Sequence, residues 1–215
     1  MMKIGIPELD LPMGGGLKEK SNVLVIGPPG SEKVSIALKF IESGAEDGDG
    51  MVYITTDVAP AELEEKSKKI SELANKDLVF IDCYSWTLGA QQGTRRDIMV
   101  PGPSALNDLS IGIAQAMQRI FKPEKKLRVV MQSLSTLLLY NNPEVIYRFT
   151  QITGARLKNS NAATLFLIEE GMHDEKVVTT IKHLVDAVIE VKNEDGKVLA
   201  RAPMNGVTQW KEIKL

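Results

Sequence analysis

Short apolar segments alternate with helical patterns along most of this chain, and this alternation is the feature that most limits its fold. Five segments have the length and residue types of buried strands: residues 22–27, 51–56, 78–83, 127–132 and 162–169. Helical patterns lie between them at residues 34–43, 60–74, 104–121 and 143–158. Strands joined by crossover helices pair in parallel, with helices on both faces. The sequence therefore predicts an α/β fold, a three-layer α/β/α sandwich around a mostly parallel sheet.

The ends of these elements are marked by turn and cap residues. Gly44 is expected to end the first helix, Pro60 to open the second, and Ser104 to cap the third. Near the C-terminus, Asn193-Glu194-Asp195-Gly196 lies between residues 186–192 and 197–202, which predicts an antiparallel hairpin. Residues 208–215 are expected to form a last strand. Because no repeat, low-complexity tract or linker interrupts the pattern, residues 1–215 are predicted to be one domain.

A turn rich in glycine and proline joins the first predicted strand to the first predicted helix, which is the position of a phosphate-binding loop. Its residues are Gly27, Pro28, Pro29, Gly30, Ser31, Glu32, Lys33 and Val34. In the full pattern G-x-x-x-x-G-K-[ST], backbone N–H groups and the lysine hold phosphates and the hydroxyl binds Mg²⁺. Here Glu32 replaces the second motif glycine and Val34 replaces the hydroxyl residue. The loop therefore predicts the fold better than it predicts catalysis.

Both replacements oppose binding of a magnesium triphosphate. If position 32 requires a left-handed backbone, a side chain there costs about 1–2 kcal/mol, and the Glu32 carboxylate would repel phosphate. Val34 cannot bind a metal ion, and Ser35, one residue later, points about 100° around the helix axis from the direction that a metal ligand requires. ATP or ADP is the ligand to expect if this loop binds one, whereas Mg²⁺ is not expected and no metal site is predicted.

Three further regions, taken with this loop, resemble the KaiC-like branch of the RecA-superfamily ATPases. They are residues 5–17, residues 129–138 and residues 183–190, which are similar to the opening, the second nucleotide motif and the C-terminal strand of that branch. The resemblance covers nearly the whole chain in order. It implies a RecA-like core that holds ATP at the phosphate loop, often between the subunits of a ring.

The same resemblance identifies functional positions that this chain has changed. The family has a Glu-Glu-x-x-Pro-like stretch that orients the attacking water; here it is Asp57-Val58-Ala59-Pro60, so Asp57 is the residual catalytic candidate. The second nucleotide motif ends in Asp in the family and in Gln132 here. The family's Lys-Met-Arg-Gly, whose cations reach a neighbouring subunit's γ-phosphate, corresponds to Pro203-Met204-Asn205-Gly206.

These changes favour a non-hydrolysing RecA/KaiC-like regulatory or scaffolding protein. A missing trans-acting cation alone reduces phosphoryl transfer by about 10³–10⁵-fold, and loss of metal ligands removes further charge neutralisation. One alternative is an active ATPase or autokinase that uses Ser31 or Ser35 near the metal. Another is a DNA recombination or repair accessory protein, which the net charge of −2 disfavours. Partners are expected to be another protein or further copies of the chain in a homo-oligomer, rather than nucleic acid.

Several single residues have more than one interpretation. Lys33 either binds phosphate or pairs with Glu32 or Asp57. Asp57 is better explained as a cap of the helix at Pro60 than as a base. His173, in an acidic stretch without metal-ligand spacing, is expected in a solvated loop, and His183 is expected to orient the start of a strand.

The remaining signals concern surface and location. The basic clusters Arg95-Arg96 and Lys125-Lys126-Leu127-Arg128 are expected to be solvated, and the loop at residues 86–103 is the best candidate for a partner-binding surface. Cys83 is the one cysteine and is expected to be buried. With no signal segment and no apolar run long enough for a membrane span, the chain is expected to be cytoplasmic, with no membrane association.

Overall fold

A computed structural model describes residues 1–74, 76–89, 97–122 and 124–215, with Met204 described by its backbone only. Within these residues the strands are β1 (Asn22–Gly27), β2 (Gly50–Thr55), β3 (Leu78–Asp82), β4 (Ile98–Met99), β5 (Leu127–Gln132), β6 (Ala162–Glu169), β7 (Ala187–Glu194), β8 (Lys197–Ala202) and β9 (Val207–Glu212). They form one sheet in the order β4-β3-β2-β5-β6-β1-β7-β8-β9. Strands β1 to β7 pair in parallel, and β7, β8 and β9 pair antiparallel.

The helices cover both faces of this sheet. They are α1 (Pro7–Asp10), α2 (Lys33–Asp47), α3 (Pro60–Lys66), α4 (Lys68–Leu73), α5 (Leu106–Ile120), α6 (Leu134–Tyr140), α7 (Pro143–Asn159) and α8 (Glu175–Lys182). Short 3₁₀ helices lie at Ser85–Leu88 and Pro203–Asn205. In the part of the chain that the structure describes, no helix has the length and apolar character needed to cross a membrane.

Two hydrophobic cores lie on opposite faces of the sheet, as the predicted sandwich requires. In β1, Val23 and Val25 face the core beneath α2, α3 and α4, whereas Leu24 and Ile26 face the core beneath α5 to α8. All four side chains are almost completely buried. Burial of each such side chain stabilises the fold by about 1.5–3 kcal/mol. The predicted fold class, including the mostly parallel sheet and the C-terminal antiparallel hairpin, is confirmed.

The hairpin turn follows from its sequence. Asp195 and Gly196 have φ values of 50° and 71°, so both central residues lie in the left-handed region. This is the backbone of the two-residue turn whose twist matches that of the flanking strands, and Asp-Gly is a favoured pair for it. Strand β7 extends to Glu194, beyond the predicted end at residue 192.

Two predicted helix boundaries are wrong. Helix α2 continues through Gly44 to Asp47, and its C-cap residue is Gly48, which has φ 74°. Gly44 is needed for close packing instead, since a Cβ there would lie 2.5 Å from Arg128 Cδ. Ser104 does not cap α5, because the N-cap residue is Ala105 and its side chain makes no capping hydrogen bond.

The helix predicted at residues 60–74 is two helices. Ser67 adopts an extended backbone, and its Oγ accepts a hydrogen bond of 3.2 Å from the Ile70 N–H, so Ser67 ends α3 and caps α4. Three helices, α1, α6 and α8, were not predicted, because each is no longer than eight residues and gives little periodicity to detect.

The basic cluster at residues 125–128 is only partly solvated. Lys126 lies at the surface, 2.7 Å from Glu19, as expected. Arg128, in contrast, is fully buried, and its guanidinium pairs with Asp49 at 2.7 Å and with Asp47 at 2.7 Å. The prediction of a solvated Arg128 is wrong because two acidic residues, distant in sequence, supply the counter-charge that burial requires.

Candidate phosphate-binding site

The parallel register brings the candidate residues to one edge of the sheet. Gly27 at the end of β1 pairs with Glu169 at the end of β6, and Thr55 at the end of β2 pairs with Gln132 at the end of β5. Ligands of open α/β sheets bind at the carboxyl ends of the strands. The loop at residues 27–34 therefore lies where a ligand site is expected in this fold.

Two glycines of the loop are required by its geometry. A Cβ at Gly27 would lie 2.3 Å from the Val191 carbonyl oxygen, and Gly30 has φ 77°. Glu32 has φ −77° and ψ 35°, so position 32 is not left-handed. The backbone cost anticipated for Glu32 is therefore absent, and what remains of that argument is the negative charge of its side chain.

Lys33 is folded back into the loop rather than directed outward. Its Nζ lies 3.0 Å from the Gly27 carbonyl oxygen, 2.8 Å from that of Pro28 and 2.9 Å from Ser31 Oγ. Its fourth partner is Glu169 Oε2 at 2.8 Å, and the lysine side chain is only 3% exposed. The predicted pairing of Lys33 with Glu32 or Asp57 is wrong. No sequence pattern points to Glu169 as a partner, since only the pairing of β1 with β6 brings it beside Lys33.

Part of the loop backbone is also engaged within the loop. The Ser31 N–H donates to the Pro28 carbonyl oxygen at 3.1 Å, and the Lys33 N–H donates to the Ser31 carbonyl oxygen at 2.8 Å. Pro28 and Pro29 have no N–H to offer. A phosphate nest requires several N–H groups that converge on one anion, so in this conformation the loop has fewer of them to supply.

The hydroxyl groups near the loop, which would be the candidate metal ligands, are hydrogen-bonded to neighbouring side chains. Ser31 Oγ contacts the Lys33 ammonium, and Ser35 Oγ donates to Glu32 Oε2 at 2.5 Å. Val34 is apolar and packs against the core beneath α2. Among the described residues, no group of three or more His, Cys, Asp or Glu side chains is placed to hold a metal ion. These residues do not fit the magnesium triphosphate that RecA-superfamily ATPases use.

Two hydrogen bonds join three side chains near the ends of β2 and β5, where the family resemblance places the second nucleotide motif. The Tyr53 hydroxyl donates to Gln132 Oε1 at 2.5 Å, and Gln132 Nε2 donates to Asp57 Oδ1 at 2.9 Å. Burial raises the pKa of the Asp57 carboxyl; the hydrogen bond from Gln132 opposes this shift, and the charge of Glu169 adds to it. Burial also raises the pKa of Tyr53 well above its ordinary value. No sequence pattern points to Tyr53, which is one aromatic residue within a strand.

Asp57 does not have the structural role predicted for it. The N-cap residue of α3 is Ala59, and the Asp57 carboxylate accepts its hydrogen bond from Gln132 instead. The Pro203–Asn205 turn lies between β8 and β9 and ends at Gly206, which has φ 85°. It offers neither of the two cations that the family resemblance places there.

The two histidines differ in part from their predicted settings. His173 lies in the loop between β6 and α8, as expected, but it is half-buried, and burial lowers its pKa. His183 is exposed and ends helix α8 instead of starting a strand. Arg95 and Arg96, and with them the middle of the predicted partner-binding loop, lie outside the described residues. Cys83 is buried, as expected.

The order of the sheet, with the phosphate loop after β1 and the second motif after β5, defines a RecA-type domain of the KaiC-like class. A solved structure of a KaiC-like protein from Pyrococcus horikoshii superposes with a TM-score of 0.73 at 18% identity, covering 98% of this chain and 90% of that one. More particularly, the chain belongs to the family of unknown function DUF7504, whose model matches residues 20–191.

Curated relatives give the same class. A UPF0273 protein of Methanopyrus kandleri is 24% identical over 193 residues, which are 87% of this chain and 74% of the relative. The circadian clock oscillator protein KaiC of Parathermosynechococcus lividus is 28% identical over 130 residues, 54% of this chain and 24% of that protein. The chain spans 74%, 66%, 57% and 49% of the length of four UPF0273 relatives.

Proposed function

We propose that this chain is a KaiC-like protein that does not hydrolyse nucleotide and acts as a regulatory or scaffolding component. The observation that carries this proposal is the state of the site as a whole. Lys33 is held by a carboxylate and by loop oxygens, and Gln132 is hydrogen-bonded to Asp57. Among the residues that the structure describes, no group at the site is placed to neutralise a triphosphate while its terminal bond breaks, which is the main task of a phosphoryl-transfer site.

The retained fold and the retained position of the loop support a role in regulation or scaffolding rather than in another reaction. The chain has the fold of its class and a loop at the position of the phosphate loop, although the residues that the chemistry needs in that class are replaced here. Among its relatives, KaiC is named as a component of a circadian oscillator. We propose that the retained fold works through contact with a protein partner or with further copies of the chain.

The test is turnover of radiolabelled ATP by the purified chain in the presence of Mg²⁺. The comparison is with Lys33→Ala, which removes the phosphate-loop cation, and with Lys68→Ala, which removes a lysine that is 91% exposed on α4. We expect phosphate release to be equal in all three proteins and at the background rate. Release by the wild type and by Lys68→Ala that is lost in Lys33→Ala would refute the proposal. Size-exclusion chromatography with light scattering tests self-association directly.

The active-ATPase alternative has less support. It relies on Ser31 or Ser35 to bind a metal ion, and both hydroxyl groups are engaged with neighbouring side chains. Asp57 remains its candidate base, so Asp57→Asn would abolish any genuine turnover.

The DNA-repair alternative is supported by a similar relative, RadA of Campylobacter jejuni, which is 34% identical over 74 residues, or 34% of this chain. That short match and the near-neutral charge give no specific reason to prefer it.

A further inference from the structure

The ion pair between Lys33 and Glu169 has the chemistry of a bound anion. A phosphate oxygen and a carboxylate oxygen both accept short, charge-assisted hydrogen bonds from an ammonium group. Glu169 Oε2 lies 2.8 Å from Lys33 Nζ, at the distance expected for such a bond. The other three contacts of Nζ come from the loop itself, so the carboxylate is the only charged partner that this ammonium has among the described residues.

Glu169 is held in place by the sheet rather than by a loop. It is the last residue of β6 and pairs in register with Gly27 of the phosphate loop. Its N–H donates to Ser135 Oγ at 2.8 Å, which fixes its backbone from the side of α6. The carboxylate side chain is 25% exposed and the lysine side chain is 3% exposed, so a dissolved anion meets the carboxylate more readily than the ammonium group.

We propose that Glu169 is an intramolecular competitor for phosphate: its carboxylate occupies the ammonium of Lys33, and the loop binds a metal-free diphosphate group only when that carboxylate is displaced. The inference rests on the proposed function, because a site without metal ligands must bind its anion without Mg²⁺. It goes further by naming the class of ligand and the group that keeps the ligand out.

The first test is calorimetric titration of the full chain with inorganic pyrophosphate in EDTA. The variants are Glu169→Gln and the matched control Glu170→Gln, which removes the same charge from the exposed next residue. We expect Glu169→Gln to bind pyrophosphate about tenfold more tightly than wild type, because one charge-assisted hydrogen bond no longer competes. Glu170→Gln is expected to stay within about twofold, since an exposed charge is screened by solvent. Adding Lys33→Gln to Glu169→Gln should remove the gain.

The second test measures the lysine without any ligand. Acetylation of each lysine by acetic anhydride is followed by peptide mass spectrometry, with Lys68 as the exposed internal reference. Lys33 is expected to be protected in wild type and in Glu170→Gln, and to react at least about fivefold faster in Glu169→Gln, because its ammonium group loses the one charged partner among its four hydrogen-bond acceptors. Glu169→Asp, which keeps the charge, serves if Glu169→Gln does not fold. It is expected to give an intermediate gain in both binding and labelling.

The results separate this inference from the proposed function. Equal pyrophosphate affinity in Glu169→Gln and Glu170→Gln, or unchanged labelling of Lys33, would overturn the competition by Glu169 and leave the absence of turnover intact. ATP hydrolysis that depends on Lys33 would overturn the proposed function, whereas a pyrophosphate gain confined to Glu169→Gln would still support the competition.

Discussion

Gln132 donates a hydrogen bond of 2.9 Å from Nε2 to Asp57 Oδ1, and this bond joins the ends of two neighbouring strands. The other end of the same amide accepts from Tyr53. An amide can donate to a carboxylate through its NH₂ group and accept from a phenol through its oxygen at the same time. An ionised aspartate at position 132 would instead place a second negative charge beside Asp57. The neutral Gln132 stabilises the Asp57 carboxylate by a hydrogen bond, but it cannot support a metal ion as an aspartate at this position would.

The first prediction follows from the raised pKa of Asp57. Because the folded pKa is above the unfolded one, the folded state loses stability as pH rises between the two, and the full cost is present above the folded pKa. Asp57→Asn keeps an acceptor for Gln132 and removes this cost. We expect it to stabilise the protein at pH 7, by on the order of 1 kcal/mol or less, and to have no such effect near pH 3. Urea unfolding at both pH values measures the difference.

Glu65→Gln, which neutralises an exposed carboxylate on α3, is the control for a general charge effect. It is expected to change the free energy of unfolding by less than about 0.5 kcal/mol at either pH. A destabilised Asp57→Asn at pH 7, or a difference that does not depend on pH, would show that burial of Asp57 has no such cost.

The second prediction concerns Cys83. Burial, with a smaller contribution from the charge of Asp82, raises the pKa of its thiol to about 12. Since the thiolate is the reactive form, we expect the folded protein at pH 8 to react with a disulfide reagent at least about 100-fold more slowly than the urea-unfolded protein. Absorbance of the released aromatic thiol measures both rates. Rapid stoichiometric reaction of the folded chain would contradict the burial of this side chain.

The core of the fold was predictable because its strands are continuous apolar runs and its turns have distinctive residues. The phosphate loop could also be placed, since strand, turn and helix follow one another within residues 22–47. What could not be predicted depends on pairing across the sheet. Lys33 and Glu169 are 136 residues apart, and only the parallel register of β1 with β6 makes them neighbours.

Gly44 shows the same limit within a helix. A glycine late in a helical pattern indicates an end, because glycine is the residue most favoured just beyond a helix. Here the end comes at Gly48, and Gly44 is small because Arg128 lies against it. Strand β4 could not be predicted for another reason, because its two residues are too few to show the alternation of apolar and polar residues that is typical of a strand.

The third prediction compares two helical glycines. Replacement by alanine favours either helix by about 1 kcal/mol of propensity. At Gly44 the new Cβ would lie 2.5 Å from Arg128 Cδ and 2.7 Å from Nε, whereas at Gly112 its nearest neighbour is an Ile98 methyl at 3.2 Å. We expect Gly44→Ala to destabilise the protein by about 1–3 kcal/mol net and Gly112→Ala to lie within about 1 kcal/mol of wild type. Thermal unfolding ranks them, and equal melting temperatures would mean that Arg128 moves freely.

The fourth prediction concerns the buried guanidinium of Arg128. Its Nε contacts Asp49 at 2.7 Å, its Nη2 contacts Asp47 at 2.7 Å, and its Nη1 donates to the Phe40 carbonyl oxygen at 2.9 Å. Asp49 is itself almost fully buried, so removing the arginine leaves a carboxylate without a counter-charge. We therefore expect Arg128→Met to cost about 3–5 kcal/mol of unfolding free energy, measured by urea denaturation at pH 7.

The matched control for Arg128→Met lies two residues earlier on the same chain. Lys126 contacts Glu19 at the same distance of 2.7 Å, but both side chains are close to half exposed. Because solvent screens such a pair, Lys126→Met is expected to cost no more than about 1 kcal/mol. Adding Asp49→Asn to Arg128→Met removes the unpaired charge and should recover part of the loss. If Arg128→Met lowers the free energy of unfolding as little as Lys126→Met does, burial of the ion pair does not determine this free energy. The Asp49 carboxylate must then become hydrated when the arginine is absent.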